Sequence, residues 1–352
     1  MQTTVARLVM LGLLLAACSG GAEEPADSTT TTSEPTTSSS SSTTTLPSTT
    51  VAPTTTEASE TSPVNGMPVN DPALLDRRVL AVKVDNHPRA RPQSGINEAD
   101  IVMEMMVEGI TRFITIWHQS DTDYLGPNRS GRPTDSTLLP AFNNPTFTIS
   151  GAQAWVQNMI TGNEINMIKE LSNGTFRISG RAAPQNLYVD TYVLRDTADS
   201  RGYENDPPEG PIWTFGPMPA DAASASSVSI DFSGNNVTWE WDETEGLWLR
   251  TVDGRESMYR EENGEEGRIG VPVIVALYTE QYSVNGLPTS RTTGSNRAFV
   301  FADGEVVEGT WERETETDWF TLADADDNEI AVPPGKVWVS LVPDDDGLSV
   351  TE

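Results

Sequence analysis

One cysteine, Cys18, is present among the 352 residues of this chain. A single cysteine cannot form a disulfide within the chain, so the folded part must be stabilised by an apolar core. About 289 residues follow Pro63, where a Ser-, Thr- and Pro-rich stretch ends. A chain of that length can bury a large core, and it is long enough for two domains.

The segment before Cys18 has the composition of a signal peptide. Arg7 precedes an apolar run from Leu8 to Ala17, which as a helix would span only ~15 Å of a hydrocarbon core of ~30 Å. We therefore predict a signal peptide over residues 1–17 rather than a membrane span. The sequence Leu15-Ala16-Ala17-Cys18 resembles the lipobox of bacterial lipoproteins, which implies a lipid on Cys18 and an anchor in the cell membrane, with the chain on the extracytoplasmic face. An ordinary signal peptide with an incidental cysteine is the alternative.

Residues 18–63 are predicted to be a disordered tether behind the lipidated cysteine. From Ser19 to Pro63 there is no aromatic residue, lysine or arginine, and Ser, Thr and Pro dominate. Such a segment cannot bury enough apolar area to offset its ordering entropy. The formal net charge of −30 argues against nucleic acid as a partner. Membrane contact is expected through the anchor.

The folded part is predicted to be α+β, with two domains. Residues 64–219 contain strand patterns at Val79–Asn86, Ile110–Gln119 and Thr146–Ser150, with helices near 152–160 and 191–199. This alternation favours a mixed α/β layered domain. Residues 220–352 are short strands separated by turns, such as Asp253-Gly254 and Asp303-Gly304, and predict a smaller β-rich domain.

The 28 residues from Asp85 to Arg112 combine charges of both signs with an apolar pattern. We predict a helix capped by Asn97, with an apolar stripe formed by Ile101, Val102, Met105 and Met106. Three carboxylates at intervals of four residues would then share one helix face: Asp100, Glu104 and Glu108. Like charges at that spacing repel, so arginines, solvent or a metal must offset them.

Two interpretations of these charges remain open. Arg112 falls on an otherwise apolar strand face and needs a carboxylate partner, which a structural ion-pair network would supply. Alternatively, the cluster is a cleft that binds a carboxylate or phosphate group, because guanidinium groups match that geometry. Its ligand-binding residues would be Asn86, Arg91, Gln93, Arg112, Arg129 and Arg132. In an enzyme, the acid–base residue would be Asp85, Glu104 or Glu108.

The segments AVKVDNHPRARPQSGINEADIVMEMMVEGITRF, LGPNRSGRP and APQNLYVDTYVLRD resemble the N-terminal domain of the YerB-like bacterial lipoproteins. The segments NVTWEWDETEGLWLR, VPVIVALYTEQY and FVFADGEVVEGTWERE, with PPGKVWVSLVP, resemble the C-terminal domain of that family. The resemblance covers Pro63 to Pro343 in the family's order. It implies two domains of unknown function and no established activity or cofactor.

Two departures from the family pattern weaken any mechanism that uses histidine. The later motif usually reads P-H-N-L-Y, but Gln185 stands in the histidine position here. The region SMYREENGEEG lacks the Pro-His pair that the family often carries. His87 and His118 do not form a zinc signature, and Asp324 to Asn328 predicts a hairpin turn rather than a calcium loop. No metal site is predicted.

The sequence thus leaves two functions open. The first is a non-catalytic envelope lipoprotein that binds a cell-wall polymer or a partner protein through the arginine-bearing cleft. The second is a hydrolase or transferase that acts on an anionic wall glycopolymer with Asp/Glu acid–base residues.

Overall fold

The computed structural model describes residues 60–343 and 347–352. Cys18, the signal peptide and most of the predicted tether lie outside the described residues. Ser62 is 1% exposed and Val64 is fully buried, so residues on both sides of the expected boundary at residue 64 are packed into the fold. Among the described residues, no helix has the length and apolarity that crossing a membrane requires.

The first half of the fold contains three α-helices and seven strands. The helices are α1 (Pro133–Leu138), α2 (Ala154–Gly162) and α3 (Thr191–Ser200), with 3-10 turns at Pro72–Leu74, Pro88–Ala90, Ile96–Glu98 and Leu139–Phe142. The strands are β1 (Leu80–Asp85), β2 (Ile101–Met106), β3 (Thr111–Trp117), β4 (Thr146–Ile149), β5 (Asn166–Lys169), β6 (Thr175–Arg177) and β7 (Leu187–Val189).

The second half consists of strands and turns. Its first eight strands are β8 (Ala223–Ser224), β9 (Ser227–Asp231), β10 (Asn236–Asp242), β11 (Leu247–Val252), β12 (Arg255–Glu256), β13 (Met258–Arg260), β14 (Glu266–Arg268) and β15 (Gly270–Val271). The others are β16 (Val273–Thr279), β17 (Gln281–Val284), β18 (Leu287–Ser290), β19 (Gly294–Ala302), β20 (Glu305–Arg313), β21 (Thr321–Ala323), β22 (Val337–Pro343) and β23 (Leu348–Thr351).

One large sheet joins the two halves. Its order is β21-β20-β19-β16-β22-β2-β3-β1-β4-β5, and β8 pairs with β20. Strand β22 pairs in parallel with both β16 and β2, so it links the second half to the first. A second sheet, β12-β11-β10-β9-β23 with β15 on β11, belongs to the second half alone.

Each face of the large sheet carries its own core. One face holds Ala81, Met103 and Ile114 together with residues of α1 and α2. The other packs Val82 and Phe113 against the tryptophans of the second sheet. Both cores draw residues from both halves, so the two predicted domains share their interiors instead of closing one core each. The predicted α+β fold in two parts is confirmed in part: strands dominate the described residues and helices are few, so the first half is less helical than the mixed α/β layered domain that the sequence predicts.

The predicted helix after Asn97 is wrong. Ile101–Met106 is strand β2, which lies between β3 and β22. Because both faces of β2 are covered, apolar residues occur at consecutive positions, and such a run also contains the spacing of a helical stripe. Asp100 caps no helix: its Oδ2 accepts hydrogen bonds from the backbone N–H of His118 and Gln119 at 2.6 and 2.9 Å.

The other secondary-structure predictions for the first half are confirmed within a few residues. Strands β1, β3 and β4 and helices α2 and α3 occur where the sequence places them. The Asp253-Gly254 and Asp303-Gly304 turns have the positive φ angles that such turns require. Strand β4, helix α2 and strand β5 form a parallel β–α–β unit at one edge of the sheet.

Candidate functional site

The large sheet separates the predicted site residues into two groups. Asp85 on β1 pairs with Arg112 on β3, so their side chains share one face. Glu104 on β2 pairs with Phe113, whose side chain is on the opposite face. The proposed row of Asp100, Glu104 and Glu108 therefore does not face the arginines as a unit.

Glu104 lies in a sealed, paired network between the two sheets. It is 0% exposed, and its Oε1 accepts hydrogen bonds from Arg250 Nη2 and from Thr111 Oγ1, both at 2.7 Å. Trp338 Nε1 donates to its Oε2 at 3.1 Å. The Arg250 guanidinium also lies 5.1 to 5.8 Å from the ring centroids of Phe113, Trp239 and Trp338. This arrangement connects the two halves of the chain through side-chain contacts.

A polar bridge connects the Glu104 network with the end of β1. Asn86 Nδ2 donates to Thr111 Oγ1 at 2.7 Å, and Asn86 Oδ1 accepts from Arg91 Nε and Gln93 Nε2 at 3.0 and 3.1 Å. Asn86 and Gln93 are almost fully buried, whereas the Arg91 side chain is 20% exposed and lies 3.5 Å from Asp253. These contacts connect the three predicted ligand-binding residues to one another and to the loop that follows β1.

Asp85, Glu108, Arg112, Arg129 and Arg132 form a second group, which we call the arginine cluster. Asp85 Oδ2 lies 3.3 Å from Arg129 Nε, and Asp85 Oδ1 lies 3.8 Å from Arg112 Nε. Glu108 accepts from Arg132 Nε at 3.0 Å and lies 2.7 Å from Arg132 Nη2, a bidentate pair. Three guanidinium groups therefore meet two carboxylates, and the cluster carries one excess positive charge.

The cluster is only partly satisfied by the protein. Among the described residues, no acceptor takes a well-oriented hydrogen bond from Nε of Arg112 or of Arg129, although Asp85 is within ion-pair distance of both. Arg129 is 26% exposed and Arg132 is 14% exposed. Burial, followed by the charge of Arg132, lowers the pKa of Arg112 to about 10. The cluster is therefore electropositive and reachable from solvent.

Glu108 is the exposed carboxylate of the cluster, with 42% of its side chain accessible. Burial by itself raises its pKa, but the hydrogen bonds and charge of Arg132 and the charge of Arg112 produce a net lowering. Glu108 therefore stays ionised at neutral pH. An ionised carboxylate between guanidinium groups suits a base or an anchor for the arginines rather than a proton donor.

A buried lysine beside the cluster was missed by the sequence reasoning. Lys83 is fully buried, and its Nζ donates to Asp135 Oδ1 at 2.6 Å. Burial lowers the Lys83 pKa to about 8, against the opposing effect of Asp135, while the charges of Arg112 and Arg132 lower it further. The signal for this pair was a lysine in the middle of the apolar strand LAVKVD.

Both departures from the family pattern lie against these groups. Gln185 Nε2 donates to Asp85 Oδ2 at 3.4 Å, and Gln185 is 8% exposed. Tyr259, in the stretch that lacks the Pro-His pair, forms a backbone bridge with Gln93. The two stretches that depart from the family pattern thus lie close to Asp85 and Gln93.

His87 contacts the cluster only through its backbone N–H, which donates to Asp85 Oδ1 at 3.2 Å, and the imidazole groups of both histidines have other surroundings. His118 is fully buried, and burial together with Arg77 and Arg195 lowers its pKa to about 4, which keeps it neutral. His87 Nδ1 accepts from the backbone N–H of Arg89 at 3.1 Å and caps a 3-10 turn. No group of His, Cys, Asp and Glu suited to a metal ion occurs in the described ranges.

Comparison with known proteins identifies the family. The profile described as "Protein of unknown function (DUF3048) N-terminal domain" matches residues 64–204, and that of the corresponding C-terminal domain matches residues 228–339. The chain belongs to the YerB-like two-domain family. It is 27% identical over 300 residues to the protein named "Putative lipoprotein YerB" from Bacillus subtilis (strain 168), a match that covers 83% of this chain and 88% of YerB. The crystal structure of the Bacillus subtilis YerB protein matches with a TM-score of 0.73 at 25% identity, covering 83% of this chain and all of that one.

Proposed function

We propose that this YerB-like chain is a lipid-anchored envelope protein that binds an anionic group through its arginine cluster. The lipobox-like sequence ending at Cys18 and the name of the Bacillus subtilis relative support the anchor and an extracytoplasmic location. The bound group is a carboxylate or a phosphate of a cell-wall polymer or partner protein. No step in this function requires a cofactor.

The observation that carries the proposal is the surplus of guanidinium groups at Asp85. Three arginines share two carboxylates, and Arg129 uses its side chain for a single contact, the ion pair with Asp85 at 3.3 Å. Its terminal nitrogens make no hydrogen bond to the described residues. Guanidinium groups in a partly dehydrated setting bind planar and tetrahedral oxyanions in bidentate geometry. An oxyanion would neutralise the excess charge and complete the hydrogen bonding.

Thermal unfolding with and without ligand tests this proposal. Inorganic phosphate, a sugar phosphate and purified anionic wall polymer are added separately to the full chain and to Arg129→Gln. A ligand at about 100 times its Kd stabilises the folded state by about 2.7 kcal/mol, which corresponds to a shift of several degrees.

The control is Arg255→Gln, which removes the same charge from an exposed strand of the second sheet. We expect the shift to persist in Arg255→Gln and to be lost in Arg129→Gln. An equal shift in both variants would place the anion elsewhere.

The alternative is a hydrolase or transferase acting on an anionic glycopolymer, and the exposed, ionised Glu108 favours it. In that case Glu108→Gln abolishes turnover of wall polymer while phosphate binding persists. Asp85, at 1% exposure, acts on substrate only if the cluster opens, and Glu104 is sealed on the other face of the sheet. If the wild-type chain releases no product from purified polymer, the binding function stands alone.

A further inference from the structure

The two carboxylates of the arginine cluster are held in different ways. Asp85 is 1% exposed, and in addition to its two ion pairs it accepts from the backbone N–H of His87 at 3.2 Å and from Gln185 Nε2 at 3.4 Å. The Glu108 side chain is 42% exposed and lies on the turn between β2 and β3. Asp85 is therefore a fixed member of the cluster, whereas Glu108 reaches the arginines from the solvent side.

The turn that carries Glu108 is closed by backbone hydrogen bonds. The backbone N–H of Val107 donates to Ile110 O, and that of Gly109 donates to Val107 O, both at 2.8 Å. The Glu108 carboxylate is held by the bidentate contact with Arg132, by a longer ion pair with a second guanidinium and by its own backbone N–H. The side chain can therefore leave the cluster while the turn keeps its backbone conformation.

The guanidinium groups are positioned by contacts other than this carboxylate. Arg132 Nη1 donates to Gly131 O at 2.8 Å, and the backbone N–H of Arg132 donates to Asp135 Oδ2 at 2.7 Å. Arg112 Nη1 donates to Ser130 O at 3.1 Å. Departure of the carboxylate thus exposes Nε and Nη2 of Arg132 in the geometry that already binds an oxyanion. A site that is formed in advance loses less entropy on binding than a site that must be assembled.

The charge of the cluster depends on whether Glu108 is in place. With Glu108 bound to Arg132, the cluster carries one excess positive charge; without it, three guanidinium groups and the carboxylate of Asp85 leave an excess of two. Lys83 and Asp135, which are buried beside the cluster, balance each other. A phosphomonoester carries a charge of about −1.5 to −2 at neutral pH, whereas a phosphodiester or a carboxylate carries a single negative charge. The vacated cluster therefore matches a phosphomonoester.

We propose that Glu108 is an internal occupant of the arginine cluster and that a phosphomonoester displaces it. This inference rests on the proposed anion-binding function and names the class of its ligand. The phosphate oxygens replace the Glu108 carboxylate on Arg132 and supply acceptors for the terminal nitrogens of Arg129. A singly charged group gains little by exchanging with Glu108, because one carboxylate-like charge merely replaces another. Glu108 thus makes the cluster selective for a doubly charged oxyanion.

Isothermal titration calorimetry of the full chain with methyl phosphate and dimethyl phosphate tests the proposal. Both probes are tetrahedral phosphates, but at about pH 7.5 the monoester is mostly doubly charged and the diester carries a single charge. The test variant is Glu108→Gln. The matched control is Glu280→Gln, which removes the same charge from an exposed ion pair with Arg291. Calorimetry measures binding directly, so a loss of stability in Glu108→Gln does not imitate a change in affinity.

We expect the wild-type chain to bind methyl phosphate more tightly than dimethyl phosphate. Glu108→Gln should bind methyl phosphate about two- to tenfold more tightly than the wild type, and Glu280→Gln should bind it as the wild type does. Adding Arg129→Gln to Glu108→Gln should abolish this gain. A carboxylate that served only to hold the fold would leave the affinity unchanged or lower it when it is removed.

Two kinds of result would overturn this inference while anion binding by the cluster still stands. An unchanged or weaker affinity in Glu108→Gln, or an equal gain in Glu280→Gln, would refute displacement of Glu108. Equal affinity of the wild type for the two probes would refute the selection of a phosphomonoester. Absence of binding of either probe to both the wild type and Glu108→Gln would refute the proposed function as well.

Discussion

The buried pair of Glu104 and Arg250 makes the strongest stability prediction. Glu104→Gln keeps the size of the side chain but removes the charge that balances a guanidinium at 1% exposure. The new amide has two orientations. In one, its N–H group faces the indole N–H of Trp338, from which Oε2 now accepts at 3.1 Å. In the other, its N–H group faces the guanidinium of Arg250. Removing one partner of a buried pair costs about 3–5 kcal/mol, because the other charge stays buried without compensation.

For a chain of this size, the loss corresponds to a fall in Tm of roughly 6–10 °C. Urea unfolding followed by tryptophan fluorescence measures the loss of unfolding free energy, because Trp239 and Trp338 flank the pair. Glu280→Gln, in the exposed ion pair with Arg291, is the control and should leave the unfolding free energy almost unchanged.

The double variant Glu104→Leu with Arg250→Met distinguishes the cost of an unpaired buried charge from the cost of altered packing. Apolar replacement of both partners of a buried pair is often neutral or stabilising, so most of the stability should return. A Glu104→Gln variant that loses less than about 1 kcal/mol would refute the reasoning. Loss of an enzymatic activity in Glu104→Gln at unchanged stability would instead support the acid–base role that the sequence left open.

Two further predictions concern the turn that carries Glu108. Because its folded-state pKa lies below the ordinary value of 4.5, Glu108 stabilises the fold above that pH and loses the contribution as the pH falls through the lowered value. The Tm gap between wild type and Glu108→Gln should therefore be full at pH 7 and close under acid; a gap independent of pH would contradict it. Gly234, in the turn between β9 and β10, packs against the turn that carries Glu108: a Cβ on Gly234 would lie 2.2 Å from the carbonyl oxygen of Gly109. Gly234→Ala should cost about 1–3 kcal/mol in urea unfolding, whereas Gly180→Ala, which faces open space, should cost little; equal effects would count against this contact.

The sequence predicts the strands that show a single period and misassigns the one that does not. Val237, Trp239 and Trp241 alternate because β10 has one well-covered face, so the pattern identifies a strand. In β2, neighbouring sheets and helices cover both faces, so the alternation disappears and the same letters fit a helix. A local pattern of apolar residues reflects which faces of a segment are buried. The residues that bury β2 are distant in sequence, so the local pattern could not identify it as a strand.

Of the side-chain contacts in the candidate site, the sequence predicts those that follow from the local strand pattern and misses those that join distant segments. Arg112 needs a carboxylate partner because of its strand face, and the structure supplies Asp85 at 3.8 Å. The partner of Glu104 could not be found, because Arg250 is 146 residues away. An arginine within the apolar strand LWLRTV was the available signal, since a buried guanidinium requires an anion. The predicted row of Asp100, Glu104 and Glu108 required a helix, and it does not form because Ile101–Met106 is a strand.

The central position of β22 affects when the chain can fold. Ile101 pairs with Val337, so β2 obtains its second neighbour only after almost the whole chain has been synthesised. Until then, the segment 64–204 presents an unpaired strand edge through β2, the kind of edge that adds foreign strands. Contacts of long sequence separation generally slow folding and leave a partly made chain open to aggregation. The first half produced alone should therefore associate rather than remain monomeric.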